Sequence, residues 1–403
     1  MVTLTSADNV LKQVYLGVVS EQLNTSINPL LSKIKQTTSD VWGKEIRKVA
    51  PYGLNGGIGA GDENSTLPTA AGNQYAQFVL SLKNLYGKIE ITDKAIRASQ
   101  NSSGAFVNLL DAEMEGLIRA SAFNFGRMLY GDGTGIITKI TDNDTTTITC
   151  EAVNCLIEGM VIDIVDATGT VLTSGKGLRI TSIDRTNKVV TLAGASFTAD
   201  ALVKSDSVSG SKDYFVAVQG SYGKELTGLG AIFKTTGTLY GLSKSDYGWL
   251  NCYTKDIAGE TSKTDINDMV MQTAIDNVEE NANSKIDFIV CSAGVKRNYQ
   301  NYFTSYRTNV DIMDLAGGYK AISYNGIPLV SDRFAPANTM FLLNTKEFNL
   351  HQLCDWQWLE GEDGRVIKQA ADKPSYTATL VKYADIICDQ PSGQAKITGI
   401  KES

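Results

Sequence analysis

The chain has 403 residues, 42% of them hydrophobic and 20% charged, with 37 Lys and Arg against 44 Asp and Glu for a net charge of −7. That length supports two or three domains with sizeable cores, and the acidic balance argues against a protein that grips nucleic acid by neutralising phosphates along a basic stripe. No run approaches the ~18 apolar residues that span a bilayer, and MVTLTSADNVLKQVYLG lacks the basic-then-apolar order of a signal peptide, so synthesis in the cytoplasm is expected.

Leu11, Val14, Tyr15, Val18 and Val19 recur at helical spacing before Pro29 and predict an arm with one apolar stripe. Residues 45–49 turn extended, and the stretch from Gly53 to Asn73, with six glycines among Ser, Thr, Asn, Asp and Pro68, predicts no packed structure. Order resumes at Gln74: Tyr75, Phe78, Leu80 and Leu82 have strand character, and Ile89 and Ile91 alternate with charges. Two strand-like arms around a long polar tip predict an extended hairpin. A loop of that length is either a functional arm or a mobile one.

The stretch from Ala105 to Tyr130 predicts one long amphipathic helix. At about 100° per residue, Phe106, Val107, Leu110, Met114, Leu117, Ile118, Phe125, Met128 and Leu129 fall within an arc of roughly 140°. Asn101 to Gly104 offers capping side chains, Gly131-Asp132-Gly133 stops the helix, and Glu115 with Arg119 forms an i,i+4 pair. Acids precede the bases Arg119 and Arg127, as the helix dipole favours. Such a helix, roughly 40 Å long, is a strut for its neighbours.

From Gly135 to about Val216 the period changes to two: Ile162 and Ile164 flank Asp163, and RITSID and KVVTLA are joined at Arg185-Thr186-Asn187. A small all-β module, barrel or sandwich, is expected there. The glycine-rich, aromatic segment that follows has little period and suits a connector packed on a larger surface. From Thr264 the pattern is mixed α/β. Ile266, Met269, Val270, Ala274, Ile275 and Val278 mark a helix, residues 286–293 a buried strand and residues 294–303 a second helix. Asn325-Gly326 signals a hairpin, MFLLNTKEF a strand, and YTATLVKYADIICDQ and AKITGIKE further extended segments.

Chemistry is sparse. The single histidine, His351, sits beside strand residues with no partner in the sequence for general-base work. No HExxH, GxSxG, Walker loop or paired CxxC occurs. GDGTG at 131–135 follows a helix instead of opening one, so it is a cap and turn and not a phosphate cradle. Asp142 to Thr147 lacks the later carboxylate of a calcium loop. The six cysteines are scattered, and Cys150 with Cys155 lacks a second pair or a histidine for a metal; all six suit reduced, buried positions. Trp356 and Trp358, beside the acidic run to Asp363, suit an interface. No catalytic, cofactor or metal site is expected, and no enzyme.

LYGKIEITDKAIRAS (85–99), NLLDAEMEGLIRASAFNFGRMLYGDGTG (108–135) and YNGIPLVSDRFAPANTMFLLNTKEFNLHQL (324–353), set in this order of segments, resemble the major capsid proteins of tailed bacteriophages with the Hong Kong 97-like fold. The resemblance implies an α+β fold in which 1–45 is the N-terminal arm, 46–85 the E-loop hairpin, and 86–135 with 217–261 the P-domain, including the spine helix 105–130. Residues 136–216 are an inserted β domain, and 262–403 the A-domain with C-terminal strands returning to the P-domain. It also implies self-assembly as pentamers and hexamers into an icosahedral head, built in the bacterial host cytoplasm, that encloses double-stranded DNA without sequence-specific binding.

Gly57, Gly61, Asp62 and Glu63 at the hairpin tip, with Trp356 and Trp358, are the expected inter-subunit contacts; Gly56 and Gly59 join Gly57 and Gly61 as residues that permit the hairpin's bends. Some relatives weld subunits through an E-loop lysine, but no lysine lies between Lys48 and Lys83, which argues against a cross-link here. The chain enters its arm almost at once, which implies a separate scaffolding protein. A portal protein and a decoration protein are the other expected partners, and no membrane is. Two alternatives are an encapsulin-like compartment shell and a glycan-binding surface protein using the β module.

Overall fold

A computed structural model describes residues 28–39, 41, 45–94, 103–198, 202, 213–259, 262–306, 312–314, 320–361, 364, 366–370 and 373–402. The apolar stripe expected at Leu11 to Val19 lies outside the described residues, as do the capping positions Asn101 and Ser102 and the acids Glu362 and Asp363.

The spine helix runs over Ser103–Met128. Met114 and Ile118 point into the core, while Glu115 and Arg119 pair on the exposed side as an i,i+4 bridge. Its last two turns depart from a two-faced helix: Ser121, Ala122, Phe123, Phe125, Arg127 and Met128 are all buried. The reason is enclosure. One side meets a five-stranded sheet, and the other meets the connector, whose Leu226, Leu229, Ile232 and Phe233 share the same core. Arg127, expected only to complement the helix dipole, is therefore drawn inside and paired at 2.5 Å with buried Glu225.

The five-stranded sheet joins distant parts of the chain. Phe348–Trp358 and Ser375–Cys388 lie antiparallel, Lys35–Thr37 is added parallel to the first, and Lys83–Thr92 and Lys368–Gln369 pair with the second. Leu85, Gly87 and Ile89 turn inward with the period of two that strands impose. Gly87 has a packing reason: a Cβ there would come within 2.9 Å of Leu117 Cδ1 on the spine helix.

A seven-stranded sheet forms the second body. Its order is Tyr253–Asp256, Ala395–Thr398, Met340–Leu343, Phe288–Cys291, Ile327–Ser331, Lys320–Tyr324 and Ile312–Asp314. Its central strand is buried on both faces. Phe288 and Val290 join the core of the spine helix, whereas Ile289 and Cys291 face the helices Asp268–Ala282 and Ala293–Tyr306. Asn267 caps the first of these helices by accepting from Val270 N at 2.9 Å. Met269, expected on its apolar face, points to solvent, and Met271 takes the inward position. Asn325 and Gly326 both adopt positive φ, the hairpin geometry that this dipeptide favours.

The expected single strand MFLLNTKEF is two. Asn344 accepts from Lys346 N and closes a turn at Thr345–Glu347, so Met340–Leu343 stays in the seven-stranded sheet and Phe348 begins the five-stranded one. The inserted module is a closed six-stranded barrel built from Ile136–Asn143, Thr147–Cys150, Val161–Asp166, Leu178–Asp184, Val189–Ala193 and Tyr214–Val218. Ile140, Ile148, Ile162, Ile164, Ile180 and Val190 fill its interior.

Candidate assembly surfaces

The long hairpin pairs Ile46–Gly53 with Gln74–Leu80, from Ile46 opposite Leu80 to Pro51 opposite Tyr75. Its root is fixed to the body by aromatic packing. Tyr52 stacks on Trp249 at 5.8 Å, Phe78 packs on Tyr240 at 5.2 Å, and Tyr240 sits at a φ of 51°. From that left-handed conformation its carbonyl accepts from Val79 N at 3.0 Å and its hydroxyl accepts from Cys388 N at 2.9 Å. Lys48 adds an ion pair with Asp389 at 2.6 Å. Nothing in the sequence marks Tyr240, since the partners that hold it in this conformation are distant in the chain.

Beyond the root the hairpin is bare. Leu54 is 96% exposed, Ile58 86% and Leu67 90%, with Val49 and Tyr75 also on the outside. Exposed large apolar side chains on one arm are costly in water. Asp62 and Glu63 lie exposed at the tip, Gly61 beside them and Gly57 half-buried. Gly57 N donates to Asn55 Oδ1 at 2.9 Å, and Ser65 N donates to Asp62 O at 3.0 Å. None of Gly56, Gly57, Gly59 and Gly61 has a positive φ. Their role is room and not reversed handedness: a Cβ at Gly59 would meet Pro68 Cγ at 3.0 Å, and one at Gly57 would meet Asn55 Oδ1 at 3.0 Å.

The two tryptophans need a correction. Trp356 and Trp358 are each only 7% exposed and belong to the main core. Trp356 meets Phe125 edge-on at 6.2 Å, with the Lys382 ammonium 5.0 Å from the Phe125 ring centre. Sequence proximity to acids hid this, because alternate strand residues reach opposite faces. Lys382 itself is fully buried, held by Asp355 at 2.7 Å and Gln352 at 2.9 Å, and its burial lowers its pKa against the pull of Asp355.

Other candidates are structural. His351 is buried in the five-stranded sheet, opposite Asp385. Asp385 accepts from Thr227 N at 2.7 Å and from its hydroxyl at 3.0 Å, tying the connector to the last long strand, and burial pushes its carboxyl up to about 6. Asp132 Oδ1 accepts from Thr134 N at 3.0 Å, so GDGTG is a turn at the helix exit. Asp142 to Thr147 closes a barrel hairpin, where Asn143 Nδ2 donates to Thr198 O at 2.8 Å. All six cysteines are free, and burial pushes the Cys150, Cys252 and Cys291 thiols up to about 12. Among the described residues no His, Cys, Asp and Glu cluster could hold a metal, and no helix is long and apolar enough to cross a membrane.

A groove of about 1390 Å³ runs between the strand Lys83–Thr92, the spine helix and the base of the barrel. Lys88, Arg119, Arg179, Lys224 and Arg333 lie along it, and all are exposed.

No protein-family model matches the sequence, and no curated protein matches it either. Among solved structures, the chain is similar to one in the cyanophage A-1(L) capsid asymmetric unit, with a TM-score of 0.56 at 14% identity over 94% of this chain and 92% of that one. Looser likenesses reach the capsid of a native GTA particle (TM-score 0.45, 11% identity, 92% and 89% covered) and the holo-SrpI encapsulin complex of Synechococcus elongatus PCC 7942 (0.44, 9%, 95% and 95%). With its hairpin arm, spine helix, paired sheets and inserted barrel, the chain has the Hong Kong 97-like capsid fold, shared over nearly its whole length with the cyanophage capsid chain.

Proposed function

We propose that this chain is a structural subunit that assembles with copies of itself, as pentamers and hexamers, into the icosahedral head of a tailed phage. The head would enclose double-stranded DNA without reading its sequence, and the chain would carry no catalytic chemistry. The observation that carries this reading is the hairpin: an arm that leaves Leu54, Ile58 and Leu67 in water, outside the subunit's own core, needs a neighbour to cover it. Closed shells need one subunit to make slightly different contacts at five-fold and six-fold positions. A fixed root with a long loop beyond it supplies that tolerance. Partners in this reading are a separate scaffolding protein, a portal protein and a decoration protein, with assembly in the bacterial host cytoplasm and residence in the virion capsid.

The test is expression of the full chain with and without its scaffolding partner, followed by light scattering and negative-stain electron microscopy of every size fraction. Closed shells or rings of five and six are expected. A chain that stays monomeric under both conditions would sink the proposal. Shells that carry a co-purifying enzyme in place of DNA would make it a compartment.

A further inference from the structure

Lys382 is 0% exposed, and its ammonium lies between two side chains of the neighbouring strand Phe348–Trp358. Gln352 Oε1 accepts from it at 2.9 Å and Asp355 Oδ1 at 2.7 Å. Residues three apart on a regular strand point to opposite faces. Here the register against Ser375–Cys388 shifts twice, between Gln352 and Cys354 and between Cys354 and Gln357, and the irregular stretch aims both side chains at one nitrogen.

The pocket around that nitrogen is dry and oriented. Gln352 is 6% exposed, and its Nε2 donates to Gln36 Oε1 at 3.4 Å, which turns the carbonyl end of the amide toward the lysine. The Lys382 nitrogen is 5.0 Å from the Phe125 ring centre and 5.9 Å from that of Trp356, so aromatic rings close the space beside it. An amine is thereby held against an amide with water kept away, the arrangement that makes an intramolecular reaction efficient. Burial favours the neutral amine, the form that attacks a carbonyl carbon, over the ammonium. Asp355 supplies a carboxylate within hydrogen-bond distance, and its side chain is 31% exposed, so it reaches from the pocket to solvent.

We infer that Lys382 and Gln352 join in an isopeptide bond once the chain has folded, with Asp355 carrying the protons. The lone pair of the Lys382 amine attacks Gln352 Cδ and forms the new N–C bond. The Cδ–Nε2 bond then breaks. Lys382 gives up two protons and ends as an amide N–H. Asp355 passes one of them to Nε2, which leaves as ammonia, and releases the other to solvent. The step consumes no oxidant and no cofactor. It happens once per chain, between neighbouring strands of one subunit and across 30 residues of sequence, so it needs no neighbouring copy and stands apart from the assembly reading above. A buried charge becomes a neutral amide that ties the two strands together.

The test is the intact mass of the purified full chain, followed by tandem mass spectrometry of its proteolytic fragments. The folded chain should weigh less than its sequence by one ammonia, and the fragments that hold Gln352 and Lys382 should appear joined. Gln352→Leu and Lys382→Met should each carry the full sequence mass. Asp355→Ala should slow bond formation by about a hundredfold, read as the linked fraction against time after refolding, with circular dichroism to show that the variant is folded. A folded native chain at its full sequence mass overturns the inference without recourse to any variant. Loss of one water with Lys382 joined to Asp355 also overturns it, because the carboxyl would then be the partner and not the proton carrier. Linkage of the Asp355→Ala chain at the native rate overturns the part assigned to Asp355.

Discussion

Two buried charges have opposite relations to stability. Arg127 and Glu225 are both almost fully enclosed, so each compensates the other. Glu225→Ala should cost about 3–5 kcal/mol in urea unfolding because it strands a buried guanidinium, while Arg127→Met combined with Glu225→Leu should cost much less. Asp385 behaves differently. Burial raises its carboxyl from 3.8 to about 6, against the donors Thr227 and Ile386 that pull it down. The folded state therefore holds this proton more tightly than the unfolded chain does, and the site is most favourable while protonated. As pH rises from about 4 to about 7, the native chain should lose about 2–3 kcal/mol relative to Asp385→Asn, with a constant difference on either side of that window. Urea midpoints of both proteins across the window check this; a flat difference would show that Asp385 does not titrate there. Neither partnership is legible in sequence, since Arg127 and Glu225 are far apart in the chain and Asp385 looks like any charged strand residue.

At the scale of the element, the spine helix carries two glycines with opposite consequences. Gly116 faces open space, with no atom within 4 Å of a built Cβ. Gly116→Ala should raise stability by about 0.5–1 kcal/mol through helix propensity. Gly126 is pressed against buried Asn28 and Phe334, whose ring carbon Cε2 would lie 2.6 Å from an added Cβ. Gly126→Ala should lower stability by about 1–3 kcal/mol despite the same propensity gain. Thermal unfolding of the two variants should move in opposite directions, and a shared direction would refute the packing account. The sequence places the helix within two residues of its ends, because its apolar spacing and the following glycines are local signals. It does not show that the last two turns are enclosed on every side, because periodicity records one buried face and not what packs on the other.

For the whole molecule, the proposed assembly makes the hairpin the part least needed by the subunit and most needed by its neighbours. Replacing residues 55–72 with Asn-Gly should leave the monomer's circular dichroism and unfolding midpoint near those of the native chain. Assembly into large particles should be lost by light scattering. A deletion variant that still forms closed shells would contradict the proposed role of the arm. The hairpin tip at Gly57, Gly61, Asp62 and Glu63 remains a proposed contact, and Trp356 and Trp358 drop out of it because the subunit's own core uses them.

By itself the sequence determined the local elements: the spine helix, the polar-tipped hairpin, the β module, the Asn325-Gly326 turn and the alternating helices and strands near the C-terminus. Each of these follows from spacing, turn chemistry or composition within a few residues. That C-terminal strands return to the spine-helix region is what the resemblance implies; the tertiary structure decided which strands these are, Phe348–Trp358 and Ser375–Cys388 in one sheet with Lys83–Thr92. It also decided which charges are buried. These are pairings across hundreds of residues, and backbone ladders look alike in sequence whichever strand they join.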